Sequence, residues 1–191
     1  ATVVVMSAEF GEAMVQGAAY GDERRFPLRT PVSYYLPLVA SWVWWCGLLA
    51  AAVVPLGLRL WVPGAVGALA AGGFAWFLGR RVHRFSRRWL VIVPAGVVVH
   101  DHVVLAETLM VPKGNLRTCG LAYADTQALD LSGPAGGHLL EITVVEMEKP
   151  ILAPTRTEPK GKAFHAAAFL IAPSRPGRAL AALTAAGAPT A

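Results

Sequence analysis

Two long runs without a charged residue dominate the hydrophobic pattern of the chain. The first run covers residues 36–58 and reads LPLVASWVWWCGLLAAAVVPLGL, and the second covers residues 60–78. At about 1.5 Å of rise per residue, the first run makes a helix roughly 34 Å long, enough to cross the ~30 Å hydrocarbon core of a bilayer. The pattern predicts a transmembrane hairpin of two helices over residues 36–79.

The turn of this hairpin is predicted near residue 59. Arg59 is the one charge between the two runs, and Pro55, Gly57, Pro63 and Gly64 flank it. Proline and glycine disfavour a helix interior, so the chain is expected to reverse its direction here, at the far membrane face. The alternative is a buried helical hairpin of a soluble protein, which would need a larger surrounding core than this chain can supply.

Small residues recur at four-residue spacing along the second run and form two stripes. One stripe is Gly64, Ala68 and Gly72, and the other is Gly67, Ala71, Ala75 and Gly79. Such stripes let helix backbones approach closely in a membrane. We expect them to pack against Gly47 and Ala51 of the first run. Assembly with a second membrane subunit, or with another copy of the chain, is the alternative.

From Trp89 onward the pattern changes to short β-branched runs separated by turns. Runs of this kind, broken by glycine and proline, predict strands. The predicted strands are WLVIV, VVV and VVLAETLMVP, followed by residues 127–131, 139–147 and 164–171, with a long exposed loop over 149–162. A C-terminal helix is predicted over residues 174–187, where Pro176 suits the first turn and Gly187 the end.

The remaining segments complete the predicted organisation. Residues 1–35 are expected to form a poorly ordered cytoplasmic segment without a cleavable secretory signal, because no short apolar core follows a basic start. Residues 80–88 are expected to be a basic juxtamembrane linker. The overall expectation is a membrane α-helical hairpin followed by a cytoplasmic α+β domain over residues 89–191.

The net charge of +5 lies in the half of the chain that contains the apolar runs. Residues 1–88 hold nine arginines and four acids, whereas residues 89–191 hold eight basic and eight acidic residues. The arginines that follow the second run are Arg80, Arg81, Arg84, Arg87 and Arg88. By the positive-inside rule they place both termini in the cytoplasm, at the bacterial inner membrane, and they suit anionic lipid headgroups. Nucleic-acid binding is not expected, because the aromatic residues concentrate in the apolar runs.

The order of these features resembles that of the small bacterial pleckstrin-homology-like domains that follow two membrane helices in many actinobacterial-type proteins. The resemblance is carried by Arg87-Arg88-Trp89, the hairpin WLVIVPAGVVVH, Met110-Val111-Pro112 before Asn115-Leu116, and the strand over 164–171 that runs into a Ser-Arg-Pro helix. It covers roughly residues 36–187 and implies a bent antiparallel sheet or barrel capped by one C-terminal helix, with a binding or scaffolding role. Its usual basic loop for phosphoinositides is replaced by Pro94-Ala95-Gly96.

Few residues suggest chemistry. His100, Asp101 and His102 with Glu107 could bring two imidazoles and a carboxylate to one metal ion, although a polar strand end is the commoner meaning of such a cluster. Cys46 and Cys119 are expected to be free thiols, and no catalytic or phosphate-binding motif is present. We therefore expect a non-enzymatic, cofactor-free membrane protein that binds a protein partner or the membrane surface. One form of this expectation is an accessory subunit of a larger membrane complex.

Two other functions compete with this expectation. One is a small membrane enzyme or metal-binding protein that uses the cluster from His100 to His102. The other is a pore or transporter component built from several hairpins, which the lack of ionisable groups within both runs disfavours.

Overall fold

The computed structural model describes residues 8–154, 158–159 and 161–190. It divides into two units. The first, which we call the hairpin, is Val32–Ser86, and the second, which we call the α+β domain, combines Ala1–Pro31 with Arg87–Ala191. The predicted exposed loop over 149–162 falls partly outside the described residues.

The helices and strands follow one another in this order along the described chain. The helices are α1 (Ala8–Gln16), α2 (Tyr35–Gly57), α3 (Trp61–Phe85) and α4 (Pro176–Ala185). The strands are β1 (Arg24–Pro27), β2 (Trp89–Val93), β3 (Gly96–His100), β4 (Leu109–Pro112), β5 (Leu116–Leu121), β6 (Leu129–Asp130), β7 (Leu140–Glu148), β8 (Ile151–Leu152), β9 (Lys162–Ala163) and β10 (Ala166–Ile171). Short 3-10 turns cover Val32–Tyr34 and Lys113–Asn115.

Helices α2 and α3 are long and apolar enough to cross a membrane. An apolar stretch of 18 residues was compared in each helix. In α2, 6% of this stretch is buried inside the protein, and in α3 the buried share is 17%. A core helix of a water-soluble protein would be largely covered, whereas these two helices leave most of their apolar side chains exposed. Their surfaces therefore require a nonaqueous environment or a partner.

The two helices contact each other along one narrow face. The covered positions recur at alternating spacings of three and four residues in both helices, as in left-handed antiparallel packing. A Cβ atom at Gly67 would lie 2.7 Å from the Ala51 carbonyl oxygen and 2.8 Å from the Ala52 backbone, so only glycine fits there. Pro55 has no N–H group and cannot donate the usual helical hydrogen bond to the Ala51 carbonyl. Gly67 therefore contacts a carbonyl oxygen that lacks its usual helical donor.

The two predicted small-residue stripes contribute unequally to this packing. Ala71 is buried, and its carbonyl oxygen accepts a 3.2 Å hydrogen bond from the Trp45 indole Nε1. Gly64 packs against Leu56, while Ala75 is half-buried. The remaining members, Ala68, Gly72 and Gly79, are exposed. The contact face thus combines members of both stripes, since a helix with 3.6 residues per turn does not keep a strict four-residue repeat on one face.

Arg59 closes the hairpin in a left-handed backbone conformation, with a φ of 59°. The Arg59 N–H donates to the Leu56 carbonyl at 3.0 Å, and the Leu60 N–H donates to the Pro55 carbonyl at 2.9 Å. These two bonds form a Schellman motif, in which glycine usually occupies the position that Arg59 holds here. The turn therefore lies at residue 59, as the sequence predicted.

The predicted linker over residues 80–88 differs from the structure. Helix α3 continues to Phe85, because arginine is a good helix former and cations are favourable near a helix C-terminus. The Arg80 guanidinium lies 5.4 Å from the Trp76 ring and that of Arg81 lies 5.1 Å from the Phe77 ring, each one helical turn away.

The expectation of a poorly ordered N-terminal segment also differs from the structure. Residues 8–16 form α1, and β1 pairs in antiparallel register with β2, so that Pro27 lies opposite Trp89. Phe26 is buried in the core, since its side chain and that of Leu28 face inward, while the residues that alternate with them, Arg25, Pro27 and Arg29, do not. The hairpin is thus an insertion between two strands that are neighbours in one sheet.

The α+β domain contains two four-stranded sheets and a two-stranded ribbon. The first sheet has the order β1-β2-β3-β4, and the second has the order β5-β7-β10-β6, in which only the β6–β10 pair is parallel. Both sheets contribute inward-facing residues to one core, which also contains Ala179 and Leu183 of α4. The predicted α+β class is confirmed, whereas the described sheets do not close into a barrel.

We predict that Gly67→Ala destabilises the hairpin by about 1–3 kcal/mol, because the methyl group meets backbone atoms that cannot rotate away. The measurement is the thermal unfolding midpoint of the full chain in mild detergent. Gly72→Ala is the matched control, because no atom lies within 4 Å of a Cβ atom built at Gly72. Equal midpoints for the two variants would contradict the packing described above.

Candidate functional site

Among the five arginines predicted to contact lipid headgroups, Arg88 alone is buried. Its side chain is 1% exposed, and it forms a bidentate ion pair in which Nε donates to Asp101 Oδ1 at 2.7 Å and Nη2 donates to Oδ2 at 2.6 Å. Its Nη1 donates to the Arg29 carbonyl oxygen at 2.9 Å. The prediction that Arg88 contacts lipid headgroups is therefore wrong, because a buried guanidinium in a satisfied ion pair has no access to them.

Asp101 connects this ion pair to the loop after β3. Its Oδ1 atom also accepts hydrogen bonds from the backbone N–H groups of Val103, at 3.1 Å, and Val104, at 3.3 Å. The Leu28 N–H donates to the Arg88 carbonyl at 3.0 Å, and the Arg29 N–H donates to the Ala172 carbonyl at 2.8 Å. The buried ion pair and these two backbone hydrogen bonds together join the segment after β1, the start of β2, the loop after β3 and the end of β10.

This geometry leaves no metal site at the predicted cluster. Asp101 is fully engaged inside the protein, while His100 and His102 lie on the surface and Glu107 is exposed. Within the described residues, no group of three or more His, Cys, Asp or Glu could hold a metal ion. Asp101 is buried whereas the histidines on either side of it are not, so the three side chains do not converge on one point.

The outer face of the first sheet carries a cationic and aromatic cluster instead. Trp89 and His100 lie opposite each other on β2 and β3, and their rings stack at 5.2 Å with an angle of 19°. The Arg25 guanidinium lies 5.6 Å from the Trp89 ring centroid, and the His102 ring lies 6.0 Å from that of His100. We call Arg25, Arg87, Trp89, His100 and His102 the cationic-aromatic face.

The surroundings of the His100 ring disfavour its charged form and lower its pKa. Partial burial is the largest cause that lowers its pKa from the ordinary value, and repulsion from His102 and Arg87 adds to it. The Asp101 carboxylate opposes this effect, and Arg25 reinforces it. Nδ1 of His100 lies 3.1 Å from the Thr108 hydroxyl, which fixes the ring within the cluster.

A separate cleft of about 680 Å³ opens elsewhere in the α+β domain. Its floor is apolar and its rim carries both signs of charge; the lining includes Phe26, Ile92, Ala182, Ala185, Glu12, Asp22, Arg24, Lys113 and Arg178. Glu12 of α1 pairs with Arg178 of α4 at 3.2 Å across the rim. An apolar floor with a mixed rim suits a short amphipathic segment of a protein better than a small anion.

Sequence reasoning missed the ion pair and the contribution of β1. Two signals were available: Asp101 is the first acid after Glu23, and Phe26 and Leu28 show a period of two. Neither signal identifies the residue that Asp101 or β1 contacts. Arg88 and Asp101 are 13 positions apart, and Arg29 and Ala172 are more than 140 positions apart.

We predict that Arg88→Met lowers the free energy of unfolding of the α+β domain by about 3–5 kcal/mol, because it leaves the Asp101 carboxylate buried and unpaired. The probe is Cys119, which is fully buried and whose thiol pKa is raised by burial to about 11. Its labelling by iodoacetamide is followed against urea concentration in a Cys46→Ala background.

The matched control for this prediction is Arg87→Met, which removes an exposed arginine next to Arg88. The double variant Arg88→Met/Asp101→Leu is expected to recover part of the loss, because it leaves no unpaired charge in the core. If Arg87→Met and Arg88→Met expose Cys119 at the same urea concentration, the ion pair does not stabilise the domain.

We predict that acidification below pH ~6.5 weakens the domain partly through His100. The unfolded chain binds this proton at the ordinary pKa, whereas the folded chain binds it only at lower pH. The stability is therefore complete above pH ~6.5 and decreases as the pH falls towards the folded pKa. Urea denaturation followed by circular dichroism at several pH values measures it. His100→Gln should flatten the dependence, and exposed His165→Gln is the control. An unchanged slope in His100→Gln contradicts the prediction.

Comparisons with protein-family models, with curated proteins and with solved structures found no match to the chain. The likeness to pleckstrin-homology-like domains therefore stays a prediction.

Proposed function

We propose that the chain is a non-enzymatic protein of the bacterial inner membrane. In this proposal the hairpin spans the bilayer and holds the α+β domain, as a pleckstrin-homology-like unit, at the cytoplasmic face. There the domain binds a protein partner or the membrane surface, and the chain acts as an accessory subunit of a larger membrane complex.

The observation that carries this proposal is the exposure of two apolar helices. Side chains such as Val43, Leu69 and Trp76 are 67%, 78% and 69% exposed in the hairpin. Covering that surface with hydrocarbon rather than water is favourable by about 25 cal/mol for each Å². A bilayer supplies such a cover along the apolar part of both helices.

The insertion of the hairpin between β1 and β2 supports the proposed topology. Because Pro27 and Trp89 are paired neighbours, the segments before and after the hairpin belong to one folded domain. A domain built from both segments lies on one side of a membrane, which two crossings satisfy and one crossing does not. Exposed arginines at the end of α3, among them Arg80, Arg81 and Arg84, favour the cytoplasmic side.

Two surfaces support the binding of a protein partner. The exposed small residues Ala68, Gly72 and Gly79 leave one side of α3 open to a further helix, from another subunit or a second copy. In the α+β domain, the cleft with its apolar floor offers a place for an amphipathic segment of a cytoplasmic protein.

We predict that the full chain stays with bacterial membranes after an alkaline carbonate wash and that Leu49→Arg reduces this fraction. An arginine in the middle of a transmembrane helix costs about 2.5–3.5 kcal/mol during insertion. The control is Leu58→Arg, next to the turn, where the charge reaches the membrane surface and insertion should persist. Release of the unmodified chain by carbonate would contradict the membrane anchor.

The partner is tested by mild detergent extraction and blue-native electrophoresis. A band larger than the monomer, with a stoichiometric second protein or with further copies of this chain, is the expected result. A purely monomeric band without any co-purifying protein would contradict the role as a subunit.

A further inference from the structure

The cationic-aromatic face is built by the pairing of β1, β2 and β3. Strand alternation sends Leu90, Ile92 and Val99 into the core and leaves Arg25, Trp89 and His100 on the outer face of the sheet. The face lies at the end of the β2–β3 hairpin remote from its turn at 94–95. It is therefore distinct from the turn in which the resemblance would place a basic phosphoinositide loop.

The face holds more positive than negative charge. Glu23 pairs with Arg25 at 2.8 Å, and Asp101 faces inward to its ion pair with Arg88. Within the described residues, Arg87, His100 and His102 form no ion pair with a carboxylate. An anion from outside the protein would supply the missing opposite charge, as phosphate oxygens do for clustered arginine and histidine.

Apolar side chains beside these charges indicate that the anion carries an apolar part of its own. Trp89 presents a ring with a polar edge, and Met110, which is 46% exposed, follows on the same outer face through the pairing of Val91, Val98 and Met110. A tryptophan next to cations is typical of residues at a membrane interface. In the sequence, Arg87 and Trp89 follow Phe85, the last residue of α3, by two and four positions.

We propose that the cationic-aromatic face binds the phosphate group of an anionic membrane lipid, and that protonation of His100 tightens this contact as the pH falls. This inference rests on the proposed membrane anchor and adds to it a ligand and a regulation. The ligand is a lipid phosphate rather than a soluble one, because the aromatic and thioether side chains beside the cations would contact the glycerol and acyl region.

The proposal has a consequence for the titration of His100. Burial and repulsion from His102, Arg87 and Arg25 lower the pKa of His100, and the Asp101 carboxylate opposes them only in part. A bound phosphate would favour the protonated ring, so it would raise the pKa of His100. By linkage, protonation must tighten phosphate binding by the same factor.

The test uses the full chain in lipid nanodiscs, with histidine labelled by ¹³C at Cε1 and titrated by NMR. One set of discs contains only zwitterionic phosphatidylcholine, and the other also contains anionic phosphatidylglycerol. We expect His100 to titrate at higher pH in the anionic discs, with a smaller change at exposed His165 of the same domain. His100→Gln identifies the resonance.

Variants assign the effect to the face. Arg87→Gln, which removes an exposed cation, should abolish most of the lipid-dependent change at His100. Arg117→Gln, which removes an exposed arginine from β5 of the other sheet, should leave it intact. A change in His100 that survives Arg87→Gln, or an equal change at His165, would mean a general surface potential and would overturn the proposal.

Two further outcomes separate the sources of failure. If the chain enters both kinds of disc and His100 titrates identically in them, the lipid contact is wrong while the anchor stands. If the chain does not enter discs, the anchor and the lipid contact both fail. Inorganic phosphate added to phosphatidylcholine discs is the last arm, and a change as large as that from phosphatidylglycerol would overturn the choice of a lipid ligand.

Discussion

The ion pair between Arg88 and Asp101 fixes the place where the chain passes from the hairpin into the α+β domain. It is bidentate and buried, and it holds the backbone after β1 through the Arg29 carbonyl. A buried charge is tolerated only where its partner and further hydrogen bonds compensate for lost hydration. The pairing of β1 with β2, and hence the shared entry and exit of the hairpin, depends on this arrangement.

The hairpin has a different source of order. Its helices use one face for each other, at which Gly67 admits the Ala51 and Ala52 backbone and Trp45 donates to the Ala71 carbonyl. Along the two apolar runs the other faces are exposed, so packing inside the protein accounts for only a small part of the burial that such side chains require. The remaining exposed apolar surface is the physical basis for the proposal that a bilayer, and further helices against α3, cover the hairpin.

The two units differ in which side chains they expose. The hairpin exposes apolar side chains, whereas the α+β domain buries its apolar side chains in a core and exposes charged and aromatic ones, including those of the cationic-aromatic face. In the α+β domain both sheets direct apolar residues into one core, so the charged and aromatic side chains of alternate positions remain on the outer face. Trp89 and His100 stack there because their strands are in register. Because Asp101 faces its buried ion pair with Arg88 rather than the histidines beside it, the three residues do not form a metal site, and the two histidines remain on the outer face.

Local pattern alone determined the two apolar helices, the turn at Arg59, the strands near β2, β3, β7 and β10, and the C-terminal helix, because each depends on neighbours within a few residues. Tertiary structure decided the rest. It recruited β1, extended α3 to Phe85, chose Gly67 and Ala71 over Gly72, and buried Arg88 against Asp101. Those outcomes depend on which distant segment supplies a partner, and the energy of a buried charge or a close backbone contact exists only after that partner is in place.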